Sequence, residues 1–394
     1  MAVPILVLNA GSSSMKFSVW SVGLDTRRTL SLIQRGAVTE IGGHTRFQVV
    51  DNAGKQLVAD DGSGTGASSQ PLALQRILNW LDANFPGSEF HAVGHRVVHG
   101  GDRYVQPVRV DAVTLADLRT LIPLAPLHQP YSLAAIELLA EQRPQLMQVA
   151  CFDTAFHQSQ PPVARRFALP RALHEAGVKR YGFHGLSYEY IAQVLPNYLG
   201  EIAEGRVIVA HLGSGASLCA LHRRHSVATT MGFTPLDGLM MGTRCGALDP
   251  GVLLYLQRER NLSLAQVEHL LYHESGLLGV SGISADLSVL LKSHDPRAQE
   301  AVDVYVYRIV REIGSLAAAL GGIDALVFTG GVGENAAVIR ARVGDALAWL
   351  GLHLDTARNA AGGPCISRAD SAVSAWVIAT HEDEMIAQHV LRVG

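Results

Sequence analysis

Five short segments of the chain carry residue types that could handle an anion. In NAGSSSMK, Gly11 lets the backbone approach an anion closely, Ser12 and Ser14 offer hydroxyl donors, and Lys16 adds a point charge. This is a phosphate cradle without a Walker sequence; a solvent-facing turn with Ser14, Lys16 and Ser18 as its wet face is the competing account. In AVGHRVVHGGDRY, Arg96 leaves an apolar run just ahead of His99, Gly100 and Gly101, where its planar fork could grip a carboxylate or phosphate. Pairing with a structural carboxylate is the commoner use of arginine. LAPLHQP sets His128 between two prolines, which predicts a rigid, extended loop. QVACFDTAFH ends a buried-looking strand at Asp153, where open α/β sheets present catalytic or metal-binding carboxylates; helix capping competes for that side chain. In RYGFHGLSYEYI, His184 precedes Gly185, and Ser187 is expected to cap the helix that follows.

Three later segments extend the set. The Gly- and Met-rich run Met231–Pro250 holds one arginine, Arg244, and reads as a mobile loop that could close this cation over a phosphate. ALVFTGGVGENAAVIR passes from strand to GGVGEN to helix, so the amides of Gly331 and Gly333 would open a helix N-terminus onto a ligand. A rival use exists: Gly331, Gly333 and Ala336 fit a GxGxxA dinucleotide fingerprint, with Asp355 as the ribose-binding acid of an NAD-dependent dehydrogenase. Too little chain follows to complete that sheet. Near the end, THEDEMIAQHV starts a helix with Glu382, Asp383 and Glu384, acids that complement the helix dipole and of which one could hold magnesium.

The elements that must position these residues alternate. Apolar runs at Ile5–Leu8, Ala92–Val93, Met147–Phe152, Val207–Ala210, Ala325–Thr329 and Trp376–Ala379 are separated by helical patterns at Pro71–Asn84, Ser132–Gln142 and Ala298–Leu320. That order predicts an α/β protein. The strand, glycine turn and strand of Ile5–Trp20 are echoed in Val207–Leu221, with Asn9 and His211 at matching positions, as duplicated domains facing a common cleft would show. With 394 residues two domains are expected: 1–150 joined by 382–394, and 151–381. A net charge of −3 gives no reason to expect nucleic acid or an anionic membrane as partner. Four cysteines without a CxxC pair, no basic segment before an apolar N-terminal run, and no long uninterrupted apolar stretch predict a cytoplasmic chain with reduced thiols.

Taken in order, NAGSSSMK, GHRVVHGG, APLHQP, FDTAFH, GFHGLSY, HLGSGASL, MGFTPLDGLMMGTR, GGVGEN and THEDE resemble the motifs of the acetate kinase family from Asn9 to Glu384. The resemblance implies two duplicated ribonuclease-H-like domains of the sugar kinase and actin type. It implies an ATP-dependent short-chain carboxylate kinase, with acetate or propionate as acceptor, Mg²⁺ or alternatively Mn²⁺ as cofactor, and a homodimer as assembly. Carried over by residue, it makes Asn9, Ser12, Ser14 and Lys16 the phosphate hairpin, with Asn9 and Glu382 at the metal. Arg96 would hold the acid, and Val98, Leu127, Phe183 and Pro235 would line its alkyl pocket. Asp153, His184, Arg244 and His128 would be catalytic. His211, Leu212, Gly213, Ser214 and Gly215, Asp286, and Gly330, Gly331, Val332, Gly333, Glu334 and Asn335 would cradle the nucleotide.

Several positions depart from the family pattern. Ser288 stands where an arginine usually lies near the adenine, Ala228 and Ala247 where Asp is common, Gln129 for a usual Asn and Arg224 for a usual Gly. None is among the residues given a chemical role above. A nucleotide-driven switch of the actin or chaperone kind is a further alternative, although such a switch has no use for a carboxylate clamp.

Overall fold

The computed structural model describes residues 4–11, 13–23, 29–60, 69–86 and 90–394. Ser12 lies outside the described residues. The chain divides into two compact units, Met1–Ala155 with His381–Gly394, and Phe156–Thr380.

In the first unit the strands are β1 (Pro4–Ala10), β2 (Ser14–Val22), β3 (Leu30–Thr39), β4 (Arg46–Asp51), β5 (Gln56–Asp60), β6 (Ala92–Val97), β7 (Val108–Arg109) and β8 (Met147–Phe152). They lie in the order β5-β4-β3-β2-β1-β6-β8-β7. Strand β1 pairs antiparallel with β2 and parallel with β6, which pairs parallel with β8. Helices cover both faces, and burial along β1, β6 and β8 is accordingly near-continuous rather than alternating. The helix Gln70–Asn84 turns Ala73, Leu74, Ile77, Leu78 and Leu81 inward at helical spacing, onto Leu6, Leu8, Phe17, Val19 and Phe47. On β6, Gly94 meets the carboxy-terminal helix Glu382–Val393: a Cβ there would come within 2.4 Å of Ile386 and 2.8 Å of Val390.

In the second unit the strands are β9 (Arg206–Leu212), β10 (Ala216–His222), β11 (His225–Thr229), β12 (Ala325–Thr329) and β13 (Ser374–Val377), in the order β11-β10-β9-β12-β13. The last strand begins and ends earlier than the expected Trp376–Ala379. Strand β9 pairs antiparallel with β10 and parallel with β12, which pairs parallel with β13. The helix Gly185–Leu199 packs Tyr188, Ile191, Leu195 and Leu199 on Val207, Val209, Cys219 and Val327. The long helix Pro296–Leu320 starts where the Asp295 carboxylate accepts from the Arg297 amide and stops at Gly321, φ 71°.

The two sheets repeat one plan. The set β3-β2-β1-β6-β8 has the same order and the same two antiparallel and two parallel pairings as β11-β10-β9-β12-β13. In each plan one hairpin turns through glycine: Gly11 N donates to Ser14 O at 2.8 Å, and Gly213 N to Gly215 O at 3.1 Å. The expected duplication is present. It also disposes of the dehydrogenase alternative, because antiparallel β10 and β11 take up one side of β9, and Asp355 caps the helix Thr356–Ala361 by accepting from the Arg358 amide. The reason glycine suits position 224 is visible too: Arg223 and Arg224 make the β10–β11 turn with φ of 50° and 63°.

Because Gly94 allows the close approach of Ile386, Gly94→Ala should destabilise the protein by about 1–3 kcal/mol through overpacking. Thermal unfolding should show a lower Tm, and the loss should shrink in an Ile386→Ala background, since the two side chains would compete for one volume.

Candidate functional site

Two clusters of polar side chains form, one in each unit, and each is described by itself. In the first unit, the ends of β1, β6 and β8 bring Asn9, Arg96 and Asp153 together. Arg96 donates from Nε to both Asp153 carboxylate oxygens at 3.1 and 3.0 Å, from Nη2 to Oδ2, and from Nη1 to Asn9 Oδ1 at 3.3 Å. The Nε–Nη2 edge of the fork is therefore engaged by a carboxylate of the chain itself, the competing use weighed from the sequence. Asp153 is buried and caps no helix; its carboxylate serves Arg96.

The carboxy-terminal helix adds Glu382 and Asp383 to this cluster from its first turn. Burial pushes the Glu382 carboxyl up to about 7, with Asp153 and Asp383 raising it further and Arg96 and Lys16 pulling it down. Asp383 is raised as well, by burial, against a hydrogen bond with Ser18 and the Lys16 charge. Burial alone would lower the Arg96 pKa, but the charges of Asp153, Glu382 and Asp383 outweigh it and raise it. Among the described residues no three His, Cys, Asp or Glu side chains form a ready-made metal cage.

The adjoining loop is held from inside. Gln129, fully buried, accepts from His99 N and donates to His99 O, both at 3.1 Å, and Gly100 N donates to Thr154 Oγ1 at 3.1 Å. That double bond fixes the chain beside Val98, which is buried, while Leu127 is half-buried. His128 departs from expectation. It is not in an extended loop: with φ −134° and ψ −48° it is the residue before the helix Gln129–Gln142, and Pro130 sits in the first turn, where its missing N–H costs nothing.

In the second unit the hairpin turn Gly213–Gly215 meets His184 and Arg244. A Cβ on Gly215 would lie 3.3 Å from His184 Nε2 and 3.6 Å from Arg244 Nη1, so the bare glycine leaves room for both side chains to converge. His184 Nδ1 is 2.8 Å from Ser217 Oγ, which also bonds the Tyr188 hydroxyl. The His184 ring stacks on His211, centroids 4.3 Å apart. Ser187 does not cap the helix as expected; it lies buried inside it and bonds His211 Nδ1 at 2.8 Å. Arg244 Nη1 donates to the carbonyl of buried Pro235 at 2.9 Å. No regular element occupies residues 230–249.

The second glycine loop lies against the first. GGVGEN forms the short helix Gly330–Asn335 directly after β12, and a Cβ on Gly330 would strike Leu212 O at 2.8 Å. The Gly330 amide donates to Glu334 Oε1 at 2.9 Å, and Asn335 Nδ2 to Gly331 O at 2.9 Å. Beneath the loop, Arg340 is almost wholly buried and donates to Gly333 O, Glu334 O, Asn359 Oδ1 and Asn359 O at 2.7–2.9 Å. Asp286 caps the helix Leu287–Lys292 by accepting from the Ser288 amide, so its carboxylate has a structural partner.

Gln129, Ser217, Tyr188 and Arg340 were not among the residues given roles from the sequence. Arg340 lies in the next helix, Ala337–Ala346, beyond a break at Ala336, so no periodicity in the sequence ties it to Gly333. Cys219 is inert, its thiol pushed up to about 12 by burial. No helix among the described residues is long and apolar enough to cross a membrane.

Comparison with known proteins agrees with this arrangement. A model of the acetokinase family matches residues 4–388. An acetate kinase of Rhodopseudomonas palustris is 54% identical across 100% of this chain and 99% of that protein, and one of Rhizobium meliloti is 49% identical across 98% and 97%. Among solved structures, a propionate kinase from Francisella tularensis superposes with a TM-score of 0.90 at 34% identity, covering 98% of each chain. Porphyromonas gingivalis acetate kinase gives 0.86 at 36% identity, covering 100% of each. With the duplicated sheets, the two glycine turns and a match running nearly end to end, the chain belongs to the acetokinase family.

Proposed function

We propose that this chain is an acetate kinase, transferring the γ-phosphoryl group of ATP to acetate and giving acetyl phosphate and ADP, reversibly. The observation that carries the reading is the whole-length similarity to relatives named acetate kinase, at 54% identity. A carboxylate oxygen attacks the γ-phosphorus, a new O–P bond forms, and the bond from phosphorus to the β,γ-bridging oxygen breaks, leaving ADP. A small carboxylic acid, with a pKa near the ~4.3 of a Glu side chain, is already ionised at neutral pH, so no general base is needed.

The difficulty is charge, since one anion must approach another. Arg96 is the acceptor's cation, and the Nη1 edge that reaches Asn9 only at 3.3 Å is the one that an acid can take most readily. His184 and Arg244, converging on Gly215, are placed for the phosphoryl oxygens as charge develops. Lys16 and Ser14 on β2 supplement the phosphate contacts, together with Ser12. His211–Gly215 and Gly330–Asn335 cradle the nucleotide, with Arg340 keeping the carbonyls of the second loop in place, and Asp286 adjoins the base region. His128 lies near the acid. Val98, Leu127, Phe183 and Pro235 are the residues that the family resemblance assigns to the acid's alkyl group.

Mg²⁺, or Mn²⁺ in its place, fits the amino-terminal cluster. Asn9, Asp153 and Glu382 are hard oxygen donors, and the Glu382 carboxyl stays pushed up to about 7 by burial and neighbouring acids despite Arg96 and Lys16, an excess of negative charge that a divalent cation would offset. When bound, the ion supplies charge neutralisation on the β- and γ-phosphates, held directly or through water. The enzyme works in the cytoplasm. The assembly is a homodimer, a reading with which the helix Pro250–Glu259 is compatible, since it buries no residue within the chain and leaves Val252, Leu254 and Tyr255 exposed.

Propionate is the second reading, favoured by the propionate kinase that superposes at 0.90. One methylene is worth only about 1–3 kcal/mol in such a pocket, so the two acids compete closely.

Incubated with ATP, Mg²⁺ and a C2–C4 acid series, the protein should give hydroxylamine-trappable acyl phosphate, fastest with acetate; no acyl phosphate with any acid would overturn the reading. Arg244→Ala should lower kcat by about 10²-fold or more with little change in acid KM. Arg96→Ala should mainly raise acid KM. Steady-state kinetics separate the two.

Metal-free stability should depend on Glu382 in a defined direction. Its folded pKa of about 7 lies above the ordinary 4.5, so between these values the native state binds more protons than the unfolded one and stability falls as pH rises. Thermal melts from pH 4.5 to 8 should show this slope in the wild type, a shallower one in Glu382→Gln, and flattening by Mg²⁺. Equal slopes in both proteins would show that Glu382 titrates normally.

A further inference from the structure

His184 is a backbone outlier at φ 58° and ψ 25°, a left-handed conformation that costs a non-glycine residue about 1–3 kcal/mol and persists only where its surroundings enforce it. Its own side chain does not cap the helix it begins. The enforcement comes from the preceding peptide. His157 Nε2 lies 2.9 Å from the Phe183 carbonyl oxygen, and its ring packs against Gly182, where a Cβ would come within 2.6 Å of the imidazole. Gly182 is itself left-handed at φ 77°, and the amides of Tyr181 and Gly182 both donate to Gly232 O, at 3.0 and 3.3 Å.

The hydrogen bonds fix the His157 tautomer. A carbonyl oxygen can only accept, so Nε2 carries the proton and Nδ1 must accept. Nδ1 faces Ser226 Oγ at 2.9 Å, and that oxygen accepts from Gln160 Nε2 at 3.0 Å, which frees the serine proton for the imidazole. Burial keeps the ring neutral, lowering its pKa to about 4. Tyr188 closes the ring edge at 5.6 Å between centroids.

We propose that His157 is a positioning residue: its Nε2–H holds the Phe183 carbonyl and so keeps His184 in the left-handed turn that directs the His184 ring at Gly215. The proposal rests on the reading that His184 faces the transferring phosphoryl group. His157 touches neither substrate; it acts through the next turn of chain. A histidine serving only as a satisfied core residue would affect stability without separating kcat from KM.

Two polar substitutions divide the two ring nitrogens. In His157→Gln the side-chain amide reaches the Nε2 position and can still donate to Phe183 O, whereas in His157→Asn it reaches only the Nδ1 position. Steady-state kinetics of acyl phosphate formation should show kcat lower by on the order of 10–100-fold for His157→Asn, with both KM values within about twofold, the cost of a sub-ångström to 1 Å misplacement. His157→Gln should recover to within a few-fold of wild type. In a His184→Ala background, His157→Asn should cost nothing further. Folded His157→Asn with wild-type kcat, or folded His157→Gln more than tenfold impaired, would overturn the proposal; the Gln result decides even if the Asn variant does not fold. Failure of the wild type to form acyl phosphate would instead remove the functional reading beneath it.

Discussion

Arg96 is shared. Its guanidinium bonds Asp153 and Asn9 while the carboxyl groups of Glu382 and Asp383 stand close enough to raise its pKa. This half-buried cation, together with Lys16, faces three acids and does not compensate them fully: burial and the neighbouring acids push Glu382 up to about 7. A buried charge without its partner is costly, and the fold accepts that cost at the site where a metal ion and an anionic substrate would settle it. The chain architecture follows from this requirement. Asn9, Arg96 and Asp153 come from three neighbouring strands, and the carboxy-terminal segment 381–394 belongs to the first unit and delivers the remaining acids. Gly94 permits that helix to lie close on the sheet.

The second unit solves a different problem, keeping the His184 imidazole and the Arg244 guanidinium aimed at a bare glycine turn. Rigidity replaces charge crowding here. His184 is bound to Ser217, stacked on His211 and held in a strained backbone conformation, while Arg340 clamps carbonyls of the adjoining glycine loop. Such preorganisation lets fixed donors meet developing charge without rearranging when it appears. The segment 230–249 adds Arg244, whose Nη1 donates to the Pro235 carbonyl.

Much of this was legible in the sequence because it depends on local patterns. The hairpins of Asn9 and His211 echo each other in strand, glycine and strand, and the structure repeats five strands with one set of pairings. Residues at strand ends, such as Arg96 and Asp153, were legible as candidates. That they would face each other was not, because their pairing depends on the parallel register of β6 and β8. Ser187 looked like a helix cap by spacing, yet tertiary contact with His211 outweighed the capping preference. His128 looked extended because of its flanking prolines, but Pro130 is compatible with a first helical turn. The roles of His157, Gln129 and Arg340 are not written in the sequence, since each works by hydrogen bonds to backbone groups 6 to 30 residues away, and a backbone partner leaves no mark on residue type. The choice between acetate and propionate is finer still, a matter of pocket shape at the scale of one methylene.

The central claim is a single displacement, in which the substrate carboxylate attacks phosphorus and no side chain carries the phosphoryl group. Two side chains that could carry it are withheld: both oxygens of Asp153 hold Arg96, and Cys219 is a buried thiol with its pKa pushed up to about 12. The most direct measurement is the stereochemistry at phosphorus, using ATP whose γ-phosphoryl group is made chiral with oxygen isotopes and sulfur. The account predicts inversion of configuration in the acyl phosphate. Retention, which requires two displacements and a phosphorylated side chain, would contradict it.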